Sequence, residues 1–310
     1  MISYIIRRLL EAVPTFFAVV TIVFLVIEFA PGDPAMILSG AGRQQLSASR
    51  VERLREKWGL NEPLHQRYFK YMRNILTFRF GKSLMTGGSV LNLIKQSLPY
   101  TLKLVLPVFF IVALLGTILG FLAGIYKGTI IDTFSMLMAV TWISIPNFAL
   151  GFLLMLGVVH FSFINLPISG SGSLKYMILP GITLGARYLA LLARVTRSSV
   201  LDYVRSDHVR TAKAKGLSPF KVNIKHIFRA ALIPVTTIAG LQFVAMFSNT
   251  IIVEKLFSWP GLGHLLVQSV TTQDMAVTAG CVVLISLGYI GINLLVDILY
   301  AYLDPRITYD

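Results

Sequence analysis

Charge, cysteine and nucleotide-binding motifs are scarce in this chain of 310 residues. Its one cysteine, Cys281, excludes an internal disulfide and any cysteine-built metal cage. Charged residues make up 14%, against roughly 25% in an ordinary soluble domain. So few charges cannot clothe the soluble domains that the length alone would suggest. The histidines, at 65, 160, 208, 226 and 264, show no HxxxH or HExxH spacing, so neither a metal site nor a metalloprotease is expected. His226 reads as loop surface and Cys281 as a small apolar residue. Ser198, Ser199 and the scattered aspartates form no nucleophile motif, and no catalytic residue is assigned. A Gly-x-x-x-x-Gly-Lys-Ser/Thr phosphate loop is absent, so the chain does not hydrolyse ATP alone. Nor do its 24 Gly and 13 Pro follow a short repeat, which excludes a collagen-like chain.

What remains is apolar. Residues of the apolar and aromatic types reach 55% and the mean hydropathy is +0.73. A pI near 10.0 invites a nucleic-acid reading, but the hydropathy points to the bilayer, and the chain reads as an all-α integral membrane protein. A hydrocarbon core of roughly 30 Å needs about 20 apolar residues as helix. Six stretches qualify: Leu9 to Ala30, Leu102 to Ile125, Phe134 to Phe161, Met177 to Ala193, Ala230 to Val253 and Ala276 to Tyr302. Pro14, Pro107, Pro146, Pro180 and Pro234 interrupt them, as membrane helices tolerate when neighbours satisfy the freed backbone groups. Gly116, Gly120 and Gly124 recur every four residues, a face on which another helix can approach closely, or simply filler in lipid. Arg7 and Arg8 precede the first apolar run as in a signal peptide. That run is about twenty residues long and ends in Pro31-Gly32-Asp33-Pro34 without a small-x-small pattern, so it reads as a retained span.

Basic residues set the orientation. With the N-terminus cytoplasmic, the inner side holds Arg7, Arg8, Lys127, nine residues between Arg194 and Arg229, and Arg306, while the short outer loops hold only Lys175 and Lys255. Both termini are therefore expected inside. The segment 31–99 is too long for the rule and carries eleven more basic residues. Within it, Val51, Leu54, Lys57 and Trp58, then Tyr68, Tyr71, Met72 and Ile75, recur at helical spacing. Two amphipathic helices separated by Gly59 to Pro63 are expected there, lying on the membrane or capping the spans. The organisation reads as 1–30 (N-terminus and first span), 31–99 (extracytoplasmic segment) and 100–310 (core of five spans), the core including a cytoplasmic loop over 200–229.

That loop is the most informative segment. Leu201 to Lys215 is helical in composition and stops at Gly216, the residue favoured at a left-handed helix terminus. Ser218 then stands as an N-cap with Pro219 at the first position of a second helix. Positive charges that merely hold the loop inside are one reading. A DNA-binding helix-turn-helix is a second, but a loop tethered at both ends to membrane spans hardly reaches a major groove, so no nucleic-acid partner is expected. A short helix docking in a partner protein's groove is the third.

The run Tyr203-Val204-Arg205-Ser206-Asp207-His208-Val209-Arg210-Thr211-Ala212-Lys213-Ala214-Lys215-Gly216-Leu217 resembles the EAA loop of ATP-binding-cassette (ABC) importer permeases. It is most similar to the B-type subunits of the peptide, nickel and glutathione branch, where Arg-Thr-Ala-x-Ala-Lys-Gly-Leu is usual. Arg210 and Thr211 replace the Glu and Ala of the general signature, and Pro234 matches its closing proline. Tyr4 to Leu9, Ala30 to Pro34, Gly59 to Leu64, Phe80 to Ser83, Glu254 to Gly263 and Leu303 to Arg306 are similar to further signatures of the branch, in order, over nearly the whole chain. One departure is Arg79, where members often carry Asp.

The resemblance implies a type I ABC importer permease in the bacterial inner membrane. Its partners would be a second permease subunit, two ABC ATPase subunits, an extracytoplasmic solute-binding protein and membrane lipid. No cofactor is expected on this chain; ATP and Mg would be used by the ATPases. Arg210, Thr211, Ala212, Lys213, Ala214, Lys215, Gly216, Leu217 and Ser218 would form the ATPase-coupling element. Glu28, Asn147, Arg187, Gln242, Ser248 and Asn249 are candidates for the substrate pathway, since intramembrane polar residues are functional by default; each has the alternative of pairing within the protein or facing a partner. Asn293 and Asp297 join them, Asp297 with pairing to a basic residue as its other reading. Relatives of this kind carry peptides, glutathione, nickel chelates or opines. An ion-gradient-driven secondary transporter is the alternative, for which inverted repeats and mid-membrane carboxylates would be needed.

Overall fold

The computed structural model describes residues 2–29, 61–83, 85–161 and 165–303; among these the chain is helical apart from turns, loops and one isolated bridge between Lys82 and Ser89. In chain order the helices are α1 (Ile2–Glu28), α2 (Leu64–Leu76), α3 (Val90–Ile125), α4 (Ile130–Ser144), α5 (Asn147–His160), α6 (Lys175–Val204), α7 (Asp207–Ala214), α8 (Arg229–Leu256), α9 (Leu262–Thr271) and α10 (Met275–Leu303). A single turn, Pro219–Lys221, and a π-helix, Val222–Phe228, connect α7 to α8.

Among the described residues, five helical segments are long and apolar enough to cross a bilayer, and α4 with α5 make a sixth candidate. That sixth is not the straight span its hydropathy suggests: α4 and α5 meet at 106°. Ile145 is extended there (φ −87°, ψ 123°) and Pro146 follows at the N-cap of α5. Proline supplies no N–H and disfavours helical geometry in the residue before it, so the break falls where both effects coincide. Pro14, Pro107, Pro180 and Pro234 lie inside continuous helices.

The described residues form two compact units. One takes those within Met1–Thr101 and Pro260–Leu294. In it, Met72 and Ile75 of α2 pack with Val20 and Val283, flanked by Tyr68 and Tyr71. This is the expected amphipathic helix; the other, around Val51 to Trp58, lies outside the described residues. Tyr68 and Thr21 share a hydroxyl–hydroxyl bond of 2.8 Å. Ser83 Oγ donates to the buried Asp274 carboxylate at 2.6 Å, and that carboxylate also accepts the Val277 N–H at 3.2 Å in the first turn of α10.

The other unit takes the described residues within Leu102–Trp259 and from Leu295 on. In it α6 packs along α8 and α4, and α3 approaches α6 closely. A Cβ on Gly120 would lie 2.3 Å from the Ala193 carbonyl oxygen, and one on Gly124 would lie 2.6 Å from Val200 Cγ1. Only glycine lets the backbones approach this far, which decides the glycine repeat in favour of packing.

Candidate functional site

The candidate coupling element is built on α7. The sequence reading of one helix through Lys215 is corrected here, because α6 ends at Val204 and α7 begins at Asp207. Ser206 is extended (φ −72°, ψ 151°) and accepts the N–H groups of Val209 and Arg210 through its carbonyl. Asp207 sits in the first turn, where a negative charge complements the helix dipole. The Ser206 hydroxyl donates back to the Tyr203 carbonyl at 2.6 Å instead of capping α7, and the break falls here despite the helical composition around it.

The far end of α7 closes as expected. Gly216 is left-handed, with φ +73°. Its N–H donates to the Lys213 carbonyl at 3.0 Å, and the Leu217 N–H donates to the Ala212 carbonyl at 3.4 Å. The pair of bonds is a Schellman motif. Ser218 is the N-cap of the next turn and Pro219 its first residue, although the serine side chain makes no cap bond.

One face of α7 is buried and the other is open. Val209 and Ala212 enter a cluster with Val200, Val222, Ile227 and Ala231. Arg210, Thr211, Lys213, Ala214 and the turn from Lys215 to Ser218 are exposed. Arg210 approaches Asp207 at 3.7 Å, but with side chains 78% and 99% exposed the pair leaves both charges available to a partner. Phe220, 75% exposed at the tip, was not singled out in the sequence. Its signal was an aromatic directly after the Ser-Pro start of a basic turn.

The pathway candidates are divided between the two units. Glu28, in the first unit, is held through both carboxylate oxygens by Arg67. A cavity of about 380 Å³ next to this pair is lined also by Tyr71, Asn74 and Arg79. Burial pushes the Tyr71 phenol above its usual range, so it stays neutral. In the second unit, Asn249 Nδ2 donates to the Tyr188 hydroxyl at 2.9 Å and to the Ala245 carbonyl at 2.9 Å. Gln242 is 5% exposed, and its side-chain nitrogen has no hydrogen-bond partner among the described residues. Ser248 and Arg187 are exposed. Asn147 is the first residue of α5, at the bend. Asn293 Nδ2 donates to the Tyr289 carbonyl at 3.0 Å.

A part-buried ion pair lies outside the residues that the sequence pattern marks. Asp132, 5% exposed at the start of α4, accepts from Arg197 Nε at 2.5 Å and Nη2 at 2.9 Å. It also accepts the Gly128 N–H at 2.9 Å. In sequence, Asp132 merely opens an apolar run just after Lys127.

Comparison with known proteins matches two family models to this chain. The N-terminal model for membrane components of binding-protein-dependent transport systems covers residues 1–105. The model described as binding-protein-dependent transport system inner membrane component covers residues 116–309. The chain belongs to this family.

Members of the family are permease components of ABC importers, so this chain is a multi-pass inner-membrane permease subunit and not an enzyme. ATPase activity resides in separate subunits, and such a permease works with a partner permease and a solute-binding protein. The chain is 40% identical over 309 residues, covering 100% of both chains, to the glutathione transport system permease protein GsiC of Salmonella paratyphi A (strain ATCC 9150 / SARB42). The GsiC protein of Escherichia coli (strain K12) matches equally, at 40% over 309 residues and 100% of both chains. Among solved structures, an amino acid ABC transporter with histidines aligns with a TM-score of 0.58 at 18% identity, over 68% of this chain and 94% of that one. That likeness concerns the type I importer fold. Nothing in these relationships supports a secondary transporter.

Proposed function

We propose that this chain is one half of a heterodimeric pore that imports small peptides of the glutathione class, driven by two ATPase subunits that dock on α7 and the turn after it. The observation that carries the docking role is the form of the loop. Its apolar face is seated on the protein, while Arg210, Lys213, Lys215 and Phe220 project from a rigid Schellman turn. An aromatic anchor ringed by cations suits a groove with an apolar floor and acidic rim. Gly216 gives the tight turn, Ala212 and Ala214 allow close approach, and Thr211, Leu217 and Ser218 complete the surface. ATP and Mg act on the ATPases. Their closure would move α7 as a lever and rock the helices between inward-open and outward-open states.

The excess of basic residues between Arg194 and Arg229 supports a cytoplasmic position for this loop, with both termini on the same side. The binding protein then delivers cargo at the opposite face. The cargo class follows from the GsiC relatives, whose name is glutathione transport. Glu28, Asn147, Arg187, Gln242, Ser248 and Asn249 are the polar groups this half would offer along the route, with the partner permease supplying the facing wall.

The test uses the assembled transporter in liposomes. Gly216→Val places a β-branched residue at φ +73°, in open space, so the strain is local to the turn. Glutathione uptake and binding-protein-stimulated ATP hydrolysis should both fall at least tenfold, an outcome that retention of both activities would refute. A dipeptide in place of glutathione as labelled cargo distinguishes the two within the class.

A further inference from the structure

The turn Thr196 to Val200 of α6 is a junction. Gly120 and Gly124 of α3 press against Thr196 and Val200. Val200 also belongs to the cluster that seats α7. Ser199 Oγ donates to the Ala231 carbonyl of α8 at 3.5 Å. Arg197, in the same turn, reaches α4 through the two bonds to Asp132. Four elements therefore meet one turn of helix, and α4 is the one held by charge.

A part-buried ion pair is a poor way merely to hold two helices together, since solvent screens it and an apolar pair would serve as well. What it adds is register. Two parallel N–H···O bonds fix both distance and angle, whereas apolar surfaces can slide. Asp132 is itself fixed from the other side by the Gly128 N–H, at a turn residue with φ +79°.

The other half of the broken span is anchored elsewhere. A Cβ on Gly151 of α5 would lie 2.3 Å from Leu256 Cδ2 and 3.4 Å from Phe257. Leu256 ends α8 and Ala231 lies near its start, roughly 38 Å apart at 1.5 Å per residue. Both α4 and α5 pack on α6, but the charged contact of α4 lies near the coupling end and this close contact of α5 near the opposite end, with Ile145 and Pro146 between them.

We propose that Asp132 and Arg197 are positioning residues that make α4 follow the coupling helix, so that motion of α7 changes the bend at Pro146 and with it the setting of Asn147. Neither residue touches cargo or nucleotide; they act through α4. The inference rests on the reading of α7 as the ATPase-docking element.

The experiment compares Asp132→Asn, Arg197→Lys and the exchanged pair Asp132→Arg with Arg197→Asp in the complete transporter in liposomes. It reads three quantities: ATPase subunits retained on purification, ATP hydrolysis stimulated by the binding protein, and glutathione imported per ATP. Each single variant should keep its ATPases and hydrolyse ATP while import per ATP falls roughly tenfold, within the usual span of coupling between sites. The exchanged pair should recover most of it. A purely structural role would lower the yield of complex and leave the ratio unchanged, so a single variant that assembles and imports at the wild-type ratio overturns the proposal. Where the single variants do not assemble, the exchanged pair decides: restored coupling supports the clasp, and assembly without it overturns the clasp. A wild-type transporter whose ATP hydrolysis ignores the binding protein would refute the docking reading first, whereas failure of the clasp alone requires a wild type that couples.

Discussion

At the scale of single residues, the glycines of this chain divide by what surrounds them, and spacing alone does not show the division. Gly120 faces a carbonyl oxygen at 2.3 Å from its would-be Cβ, while Gly157, also in a membrane helix, has nothing within 4 Å. Gly120→Ala forces α3 away from α6 and should destabilise the protein by about 1–3 kcal/mol. Gly157→Ala relieves a helix of its glycine and should be neutral or stabilising by up to ~1 kcal/mol. Thermal unfolding of the purified complex checks the contrast; equal shifts in both variants would contradict the close contact. The repeat Gly116, Gly120, Gly124 was legible, but its choice between filler and contact needed α6. Asp132 shows the complementary limit. Its partner lies 65 positions away, and no local pattern announces such a pair.

At the scale of elements, spans were easiest to read, because twenty apolar residues have few alternatives in a chain so poor in charge. Breaks were harder. Of five prolines in the expected spans only Pro146 separates two helices, and only the extended Ile145 before it shows why. The helix restarts at Asp207 without a side-chain cap from Ser206, and the helical composition from Leu201 onward conceals the break. The π-helix Val222–Phe228 leaves no periodic mark in sequence. The turn after α7 was legible, since its glycine stop and Ser-Pro restart are local chemistry, yet the seat beneath it was not. Val209 shows the difference. It is 0% exposed in the cluster under α7. Val209→Asp should unseat the helix and release the ATPases on purification. Phe220→Ala, on the open side, should leave the fold intact while weakening ATPase retention about tenfold or more, as loss of an interface anchor does. High salt should add to the second effect, because exposed cations are screened. Equal ATPase retention in wild type and Phe220→Ala at every salt concentration would remove the aromatic from the docking surface.

At the scale of the whole molecule, the scarcity of cysteine becomes an experimental advantage. Cys281 is 0% exposed, so a thiol introduced on the surface is the one that reacts with a hydrophilic reagent. The proposed orientation puts the α7 loop in the cytoplasm; Ser173 precedes the opposite end of α6, and Lys213 lies beyond its Val204 end. A helix of 30 residues is about 45 Å long, longer than the bilayer core, so the two positions fall on opposite sides. Lys213→Cys should therefore be labelled by a membrane-impermeant maleimide only in inside-out vesicles, and Ser173→Cys only in right-side-out ones. Because Lys213 is at the proposed docking surface, bound ATPases should slow its labelling and leave that of Ser173→Cys unchanged. The reverse sidedness would turn the molecule over and place the cationic loop where no ATP is available, which the importer mechanism cannot accommodate. Protection on the expected side would join the charge asymmetry, the Schellman turn and the energy source in one orientation.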